Sequence, residues 1–404
     1  MTYEARKPDP SMTRRSASLG TIRRLWVPTD VIRGLSGLIF CAALFMGATV
    51  VWYGDVSSGF ESAANATVDA ARVEGHAKCV DCHSAEVRAW KASKHATRAF
   101  DLLRTSSNAL DYAKKLDIEP RDIARNSICV RCHATPLVDE VTHRPTVLAG
   151  VSCEACHNPS GGPDGWLNAH ASYGTAGTRR EHEDQAHYQQ RAERCRDAGQ
   201  LRSGDLYGLA KRCFACHVVG DQVLAETGHP LGDRFELTTA MLGEVRHNLF
   251  LNDRINAEVA TLWTDPLHHG DNRTAAGRKR VIYLVGQLVD LEASFRNLAQ
   301  ITDDGAVAES MVARIEATFF PLVDLTDDLE EAELPEIESL VESLESIVEE
   351  VLDGFDPESK QLYLEAAQAA AQAAQAVSRR DGKQLAEIDE LGLLPEEFTG
   401  VYQP

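Results

Sequence analysis

The sequence predicts a mainly α-helical chain in three parts: a single amino-terminal membrane-spanning helix, a middle region of short helices and loops, and a carboxyl-terminal module of longer helices packed as hairpins or a bundle. Three observations predict it. Residues 34–53 run for twenty positions without a charge. Nine of the ten cysteines and all fourteen histidines fall between residues 76 and 269. Beyond residue 275 neither type occurs, and apolar side chains recur at helical spacing. The implied divisions are a basic cytoplasmic tail (1–33), an anchor (34–53), a linker (54–75), a Cys- and His-rich domain (76–270) and an acidic helical module (275–404).

The 404 residues carry 41 Lys+Arg and 61 Asp+Glu, a formal charge of −20. Residues 301–404 account for it, with 26 acidic side chains against 5 basic ones, a net of −21. The first 300 residues are therefore close to neutral, at +1. No basic stripe stands out, which excludes a nucleic-acid binder. An apolar fraction of 44% is enough for a sizeable buried core.

Twenty helical residues at about 1.5 Å each cover the roughly 30 Å hydrocarbon core of a bilayer. Arg6, Lys7, Arg14, Arg15, Arg23, Arg24 and Arg33 precede the run, and Trp26, Trp52 and Tyr53 flank it. Positive charge stays on the cytoplasmic side, so everything after Gly54 is expected in the periplasm, held to a bacterial inner membrane. The competing reading is a cleaved signal peptide, cut near Ala64-Asn65-Ala66. A usual h-region spans only about 7–15 residues, so retention as an anchor is favoured.

Eight cysteines fall in four copies of C-x-x-C-H: Cys79/Cys82/His83, Cys129/Cys132/His133, Cys153/Cys156/His157 and Cys213/Cys216/His217. This is the c-type haem attachment sequence. Two thiols separated by two residues form thioethers to the two vinyl groups of one haem, and the next residue brings an imidazole under the iron. A dithiol site would not need the His, and a zinc site would not need it four times over. Four covalently bound haems are expected. Cys41 lies in the apolar run, and Cys195, between Arg194 and Arg196, is expected to be buried or a free thiol.

Each attachment His supplies one axial ligand. Methionine as the sixth would raise the potential, but only Met241 lies near this region. Ten spare histidines lie within 76–269, which favours bis-His ligation and low potentials.

Trp90-Lys91-Ala92-Ser93-Lys94-His95 resembles the W-x-x-S/T-x-H element of tetrahaem cytochromes of the cytochrome c-554 family. The segment from Gly150 to Pro159 (GVSCEACHNP) resembles that family's G-V-x-C-E-x-C-H-G-P, with Asn158 where the family has Gly. Lys211 to His217 resembles its fourth motif, and the likeness extends over about residues 76–250. The resemblance implies His95 as sixth ligand of the third haem and His170 as that of the first. For the fourth it implies a downstream histidine, His229 or His247. It also implies a five-coordinate second haem, which His143, between the second and third motifs, could close in this chain.

In the middle region Pro120 to Ile128 reads as a helix leading into the second motif. Farther on, Val281 to Leu291 gives a wide apolar face, Ile337 to Val351 repeats at i, i+3, i+4, i+7, and Glu365 to Val377 is a strong helix former. The expected function is electron transfer between redox-partner proteins of the periplasm or membrane, in nitrogen-compound respiration as the resemblance implies. Two alternatives stand beside it: a haem enzyme reducing a small nitrogen oxide at an open second iron, and a quinol dehydrogenase. The acidic tail would dock a basic partner, oligomerise, or cap the haem region.

Overall fold

A computed structural model describes residues 68–139, 141–147, 149–171, 184–202, 204–232, 235–243, 275–329 and 333–395. The apolar run 34–53, His182, His247, His268 and His269 lie outside the described residues. Among the described residues no helix is long and apolar enough to cross a membrane. The chain divides into two units, Met1–Ser58 and Gly59–Pro404, and the described residues all belong to the second.

The middle region is built of short helices. Helix α1 (Ser84–Ala92) follows the first motif, and α2 (Lys94–Thr105) and α3 (Ser107–Lys115) come next. Ser93 separates the first two with extended backbone, and its hydroxyl accepts the Ala96 N–H at 3.3 Å to cap α2. The expected helix from Pro120 does not run through. A 3-10 turn at Ile123–Arg125 ends at Asn126, whose side chain accepts the Ile128 N–H at 3.0 Å and starts α4 (Ser127–His133). An Asn offering a cap interrupts a helix more readily than it continues one. Strands β1 (Leu137–Val138) and β2 (Pro145–Thr146) then pair antiparallel. Helices α5 (Cys153–His157), α6 (Trp166–Ala171), α7 (Gln185–Asp197), α8 (Leu206–His217), α9 (Gln222–Glu226) and α10 (Leu237–Gly243) follow among the described residues.

Four long helices follow: α11 (Ala275–Leu298), α12 (Ala306–Asp328), α13 (Pro335–Asp353) and α14 (Lys360–Ser378). Helix α13 matches its sequence pattern, burying Ile337, Leu340, Leu344, Val348 and Val351 while Glu338, Glu342, Glu345 and Glu349 face out. Helix α11 does not. From Val281 to Leu298 it is buried on every side, its polar Gln287, Asp290, Glu292, Ser294, Arg296 and Asn297 included. A helix buried all round is the central element of a bundle, and α11 packs against α8, α12 and α14.

These helices are not a separate arm. One continuous core joins Leu206, Ala210, Phe214 and Val218, in and just after α8, to Val281, Leu284, Leu288, Met311 and Ala370 of the carboxyl-terminal helices. Burying a side chain such as Phe214 contributes about 1.5–3 kcal/mol, so the fourth motif is stabilised largely by the tail. A smaller cluster of Leu103, Ala113, Ile123, Val130 and Ala134 lies under the second motif.

Candidate functional site

Each C-x-x-C-H sits on a single turn of helix or at a helix end. In the first, the His83 N–H donates to the Cys79 carbonyl at 2.9 Å, and α1 begins at once. The second and fourth close α4 and α8, and the third is α5 itself.

The segment 150–152, just before the third motif, ties three motifs together. Trp90 Nε1 donates to the Val151 carbonyl at 2.7 Å, and the Val151 N–H donates to the His95 carbonyl at 2.9 Å. Trp90 through its indole and His95 through its backbone carbonyl grip this segment, and Ser93 between them caps α2. Gly150 is required by close approach, since a Cβ there would lie 2.0 Å from the His95 carbonyl oxygen. From the second motif's exit, the Thr135 N–H donates to the Gly150 carbonyl at 3.2 Å and its hydroxyl accepts the Ser152 N–H at 2.8 Å.

The fourth motif joins through other contacts. Arg212 donates to the Asn158 side-chain oxygen. Arg131, inside the second motif, pairs with Asp221 at 2.5 Å, just beyond the fourth. Gly232 packs so tightly on the fourth motif that a Cβ would meet the His217 carbonyl oxygen at 1.7 Å.

The cysteines meet across motifs. Cys79 shares a hydrogen bond with Cys153 that raises the first thiol's pKa and lowers the second's. Cys132 and Cys216 are paired in the same way, with Cys216 raised. Burial pushes Cys156 up to about 11, and raises neighbouring Cys213 as well. Burial, then the charges of His95 and His133, hold His217 down to about 4, although its side chain is exposed. The His217 ring lies against Phe235 at 4.4 Å and His95 at 6.0 Å.

Cys82 departs from this pattern. It is exposed, whereas the other seven motif cysteines are partly buried. The reason is local. Cys79 is the thiol of the first motif that meets the third, and the turn that follows it runs along the surface, with Asp81, Cys82, His83 and Ser84 all exposed. The chain turns inward again only at Val87 of α1, which is 2% exposed. The first motif therefore sits at the rim of the gathered motifs, and Cys82 is the most exposed of their cysteines.

Apart from that rim position, the donor set fits haem c. His133 Nδ1 lies 2.8 Å from the Ala99 carbonyl oxygen, and His157 Nδ1 lies 2.7 Å from that of Leu201. With Nδ1–H donated to a carbonyl, Nε2 keeps the lone pair that binds a metal, the arrangement usual for ligating histidines. The eight cysteines and His83, His133, His157 and His217 would hold the groups.

The other expected ligands lie as follows. The His95 ring is 6.0 Å from that of His217, and the His229 ring is 6.2 Å from that of His133. His170 is in α6, after the third motif. His143 is exposed in the turn between β1 and β2, with φ of 53°. Among the remaining spares, His76 packs on Trp90 with ring centres 4.7 Å apart. Cys195 is fully buried.

Sequence reasoning gave no role to Glu154, Asp221 or Arg314, which fasten the motifs to their surroundings. The one available signal was a carboxylate placed inside a haem-attachment motif.

Four attachment motifs that meet one another, each with thiols and an imidazole, define a multihaem c-type cytochrome domain. Comparisons with known proteins agree. Residues 78–158 match the family described as cytochrome c554 and c-prime. The chain is also similar to the cytochrome c-554 of Nitrosomonas europaea, at 26% identity over 150 residues. That match covers 36% of this chain and 57% of the relative, so the chain spans little more than half the length of the protein it matches. No solved structure matches the chain.

Proposed function

We propose that the chain is a membrane-anchored, periplasmic tetrahaem c-type cytochrome that passes electrons between redox-partner proteins. The observation that carries the reading is the meeting of motifs: Cys79 against Cys153, Cys132 against Cys216, and Cys156 beside Cys213. Thiols this close bring four attachment sites within electron-transfer reach of one another. Bound haem c supplies one-electron chemistry at an iron with little change of ligands. The chain's own residues would anchor the groups through thioethers at the eight cysteines and fix imidazole tautomers through the carbonyls of Ala99 and Leu201.

The charged-residue pattern and the uncharged run 34–53 support the anchor. The outward Glu338, Glu342, Glu345 and Glu349 of α13 would attract a basic redox partner. Intact-mass analysis and redox-monitored optical spectroscopy of the purified protein test the reading. Four covalent haems, reversibly reduced at low potential, are expected. Fewer than four, or haems released by acid-acetone extraction, would overturn it.

A further inference from the structure

We propose that His229 closes the second haem, with His133 as its other ligand, where the resemblance implies an open second iron and gives His229 or His247 to the fourth haem. The proposal rests on the reading of the chain as a c-type cytochrome and concerns which imidazole meets which iron.

One ring distance motivates it. The His133 and His229 ring centres are 6.2 Å apart with planes at 86°. Two imidazoles on one metal are separated by two bonds of about 2 Å plus about 1 Å from each nitrogen to its ring centre, about 6 Å in all. An edge-to-face contact gives a similar distance, but here the hydrogen bonds also leave both rings in the state that ligation needs. His133 Nδ1 lies 2.8 Å from the Ala99 carbonyl oxygen and His229 Nδ1 lies 2.8 Å from that of Pro230. Both rings are thereby held in the tautomer that leaves Nε2 as the donor atom.

The backbone carries the same pairing. His229 follows the fourth motif in sequence, yet its segment is fastened to the second. Asp221 pairs with Arg131 of that motif at 2.5 Å, and Lys115 Nζ donates to the Thr227 carbonyl at 2.6 Å. Tyr112, also on α3, lies 5.6 Å from the His229 ring. Only beyond Pro230 does the chain return to the fourth motif, where the Val219 N–H donates to the Leu231 carbonyl at 3.0 Å and Gly232 abuts His217. His143, the other residue near the second motif in sequence, is exposed in its hairpin turn.

The test uses full-length holoprotein, read by EPR, CO titration of the reduced form and intact mass. His229→Ala is expected to add one high-spin haem and one CO site per chain, with four haems retained, while His143→Ala adds neither. On a Cys129→Ala/Cys132→Ala background, which lacks the second haem, His229→Ala should add nothing. An unchanged spin state in His229→Ala would overturn the proposal. So would an increment that survives loss of the second haem, which would assign His229 to the fourth. If a three-haem background does not accumulate, a cryo-EM structure of the holoprotein decides, by whether His229 Nε2 bonds the iron held at Cys129 and Cys132. A wild-type mass without four haems would defeat the functional reading itself and is told apart from either result.

Discussion

The carboxylate of Glu154, inside the third attachment motif, accepts the backbone N–H of Gly75 at 2.8 Å across 79 positions of sequence. Gly75 immediately precedes the turn that leads into the first motif. The same side chain accepts the Glu74 N–H at 3.1 Å, the Ser160 N–H at 2.9 Å and the Ser160 hydroxyl at 2.5 Å. It is only 1% exposed, so these four donors replace water entirely. Residue 154 thus sets the distance between two haem sites by hydrogen bonding alone.

Glu154→Ala should therefore destabilise the protein by about 3–5 kcal/mol, because buried donors lose a charged acceptor and gain none. Glu154→Gln, which retains one acceptor oxygen, should lose less. Denaturant titration with intact-mass counting of haem is the check. A wild-type midpoint for the alanine variant would show that the two motifs are held together by something else.

Asn158 stands where the resembled family has glycine, at φ 68° and ψ 156°. This region is essentially reserved for glycine and costs other residues on the order of 1–3 kcal/mol. Asn158 offsets the strain by donating to the Gly199 carbonyl at 2.8 Å and by accepting from Arg212 of the fourth motif. Asn158→Gly should change stability by less than about 1 kcal/mol, since relief of strain balances the lost bonds. Asn158→Ala keeps the strain and loses the bonds, and should cost about 2–3 kcal/mol. Equal thermal midpoints for the two variants would contradict this account.

Much of the site was legible because its chemistry is local. Two thiols and an imidazole within five residues specify a haem wherever they fall, and the helix from Pro335 to Asp353 shows its buried stripe in its spacing. What depends on distant partners was not. Four identical motifs give no sign that Cys82 lies at the rim while its seven counterparts are partly covered, because the cover comes from other segments of chain. Periodicity gave α11 an apolar face, but only packing reveals that Asp290, Glu292 and Arg296 are buried among partners on α8 and α12 and within α11 itself. Pro321 reads as a helix breaker, yet α12 runs through it from Ala306 to Asp328. Nor could sequence reveal that the acidic tail shares its core with the fourth motif, because α8 and α11 are joined by contacts across a long stretch of chain.

That shared core makes Arg314 a test of the tail's role. Its guanidinium bonds both oxygens of Asp290, at 2.7 and 2.5 Å, and also donates to the Gly232 carbonyl at 2.8 Å and the Phe235 carbonyl at 3.2 Å. Gly232 abuts His217, and Phe235 stacks on its ring at 4.4 Å. Arg314→Leu leaves Asp290 buried without its partner and should cost about 3–5 kcal/mol. Deleting residues 301–404 should yield an insoluble chain or one with fewer haems. A truncated protein with four haems and full stability would make the tail an independent module after all.

Acid sensitivity should be traceable in part to the end of the chain. Arg280 on α11 donates to both oxygens of Asp389, at 2.9 and 2.5 Å, closing the final 3-10 segment, Lys383–Asp389, onto the bundle. The hydrogen bonds from Arg280 hold the Asp389 carboxyl below its usual value, and the pairing raises Arg280 in turn. A carboxylate depressed in the folded state contributes stability above its unfolded pKa of about 4, and that stability is lost as pH falls through the folded value. Asp389 is 44% exposed, so solvent screening limits the contribution to about 1 kcal/mol or less. Asp389→Asn should therefore lower the thermal midpoint slightly at pH 7 and converge with wild type in strong acid. Added salt should narrow the neutral-pH difference. Parallel midpoints for the two proteins from pH 7 down to strong acid would show that the ion pair adds nothing to the closure, leaving Leu385 and Ile388, both buried in the shared core, to hold the segment in place.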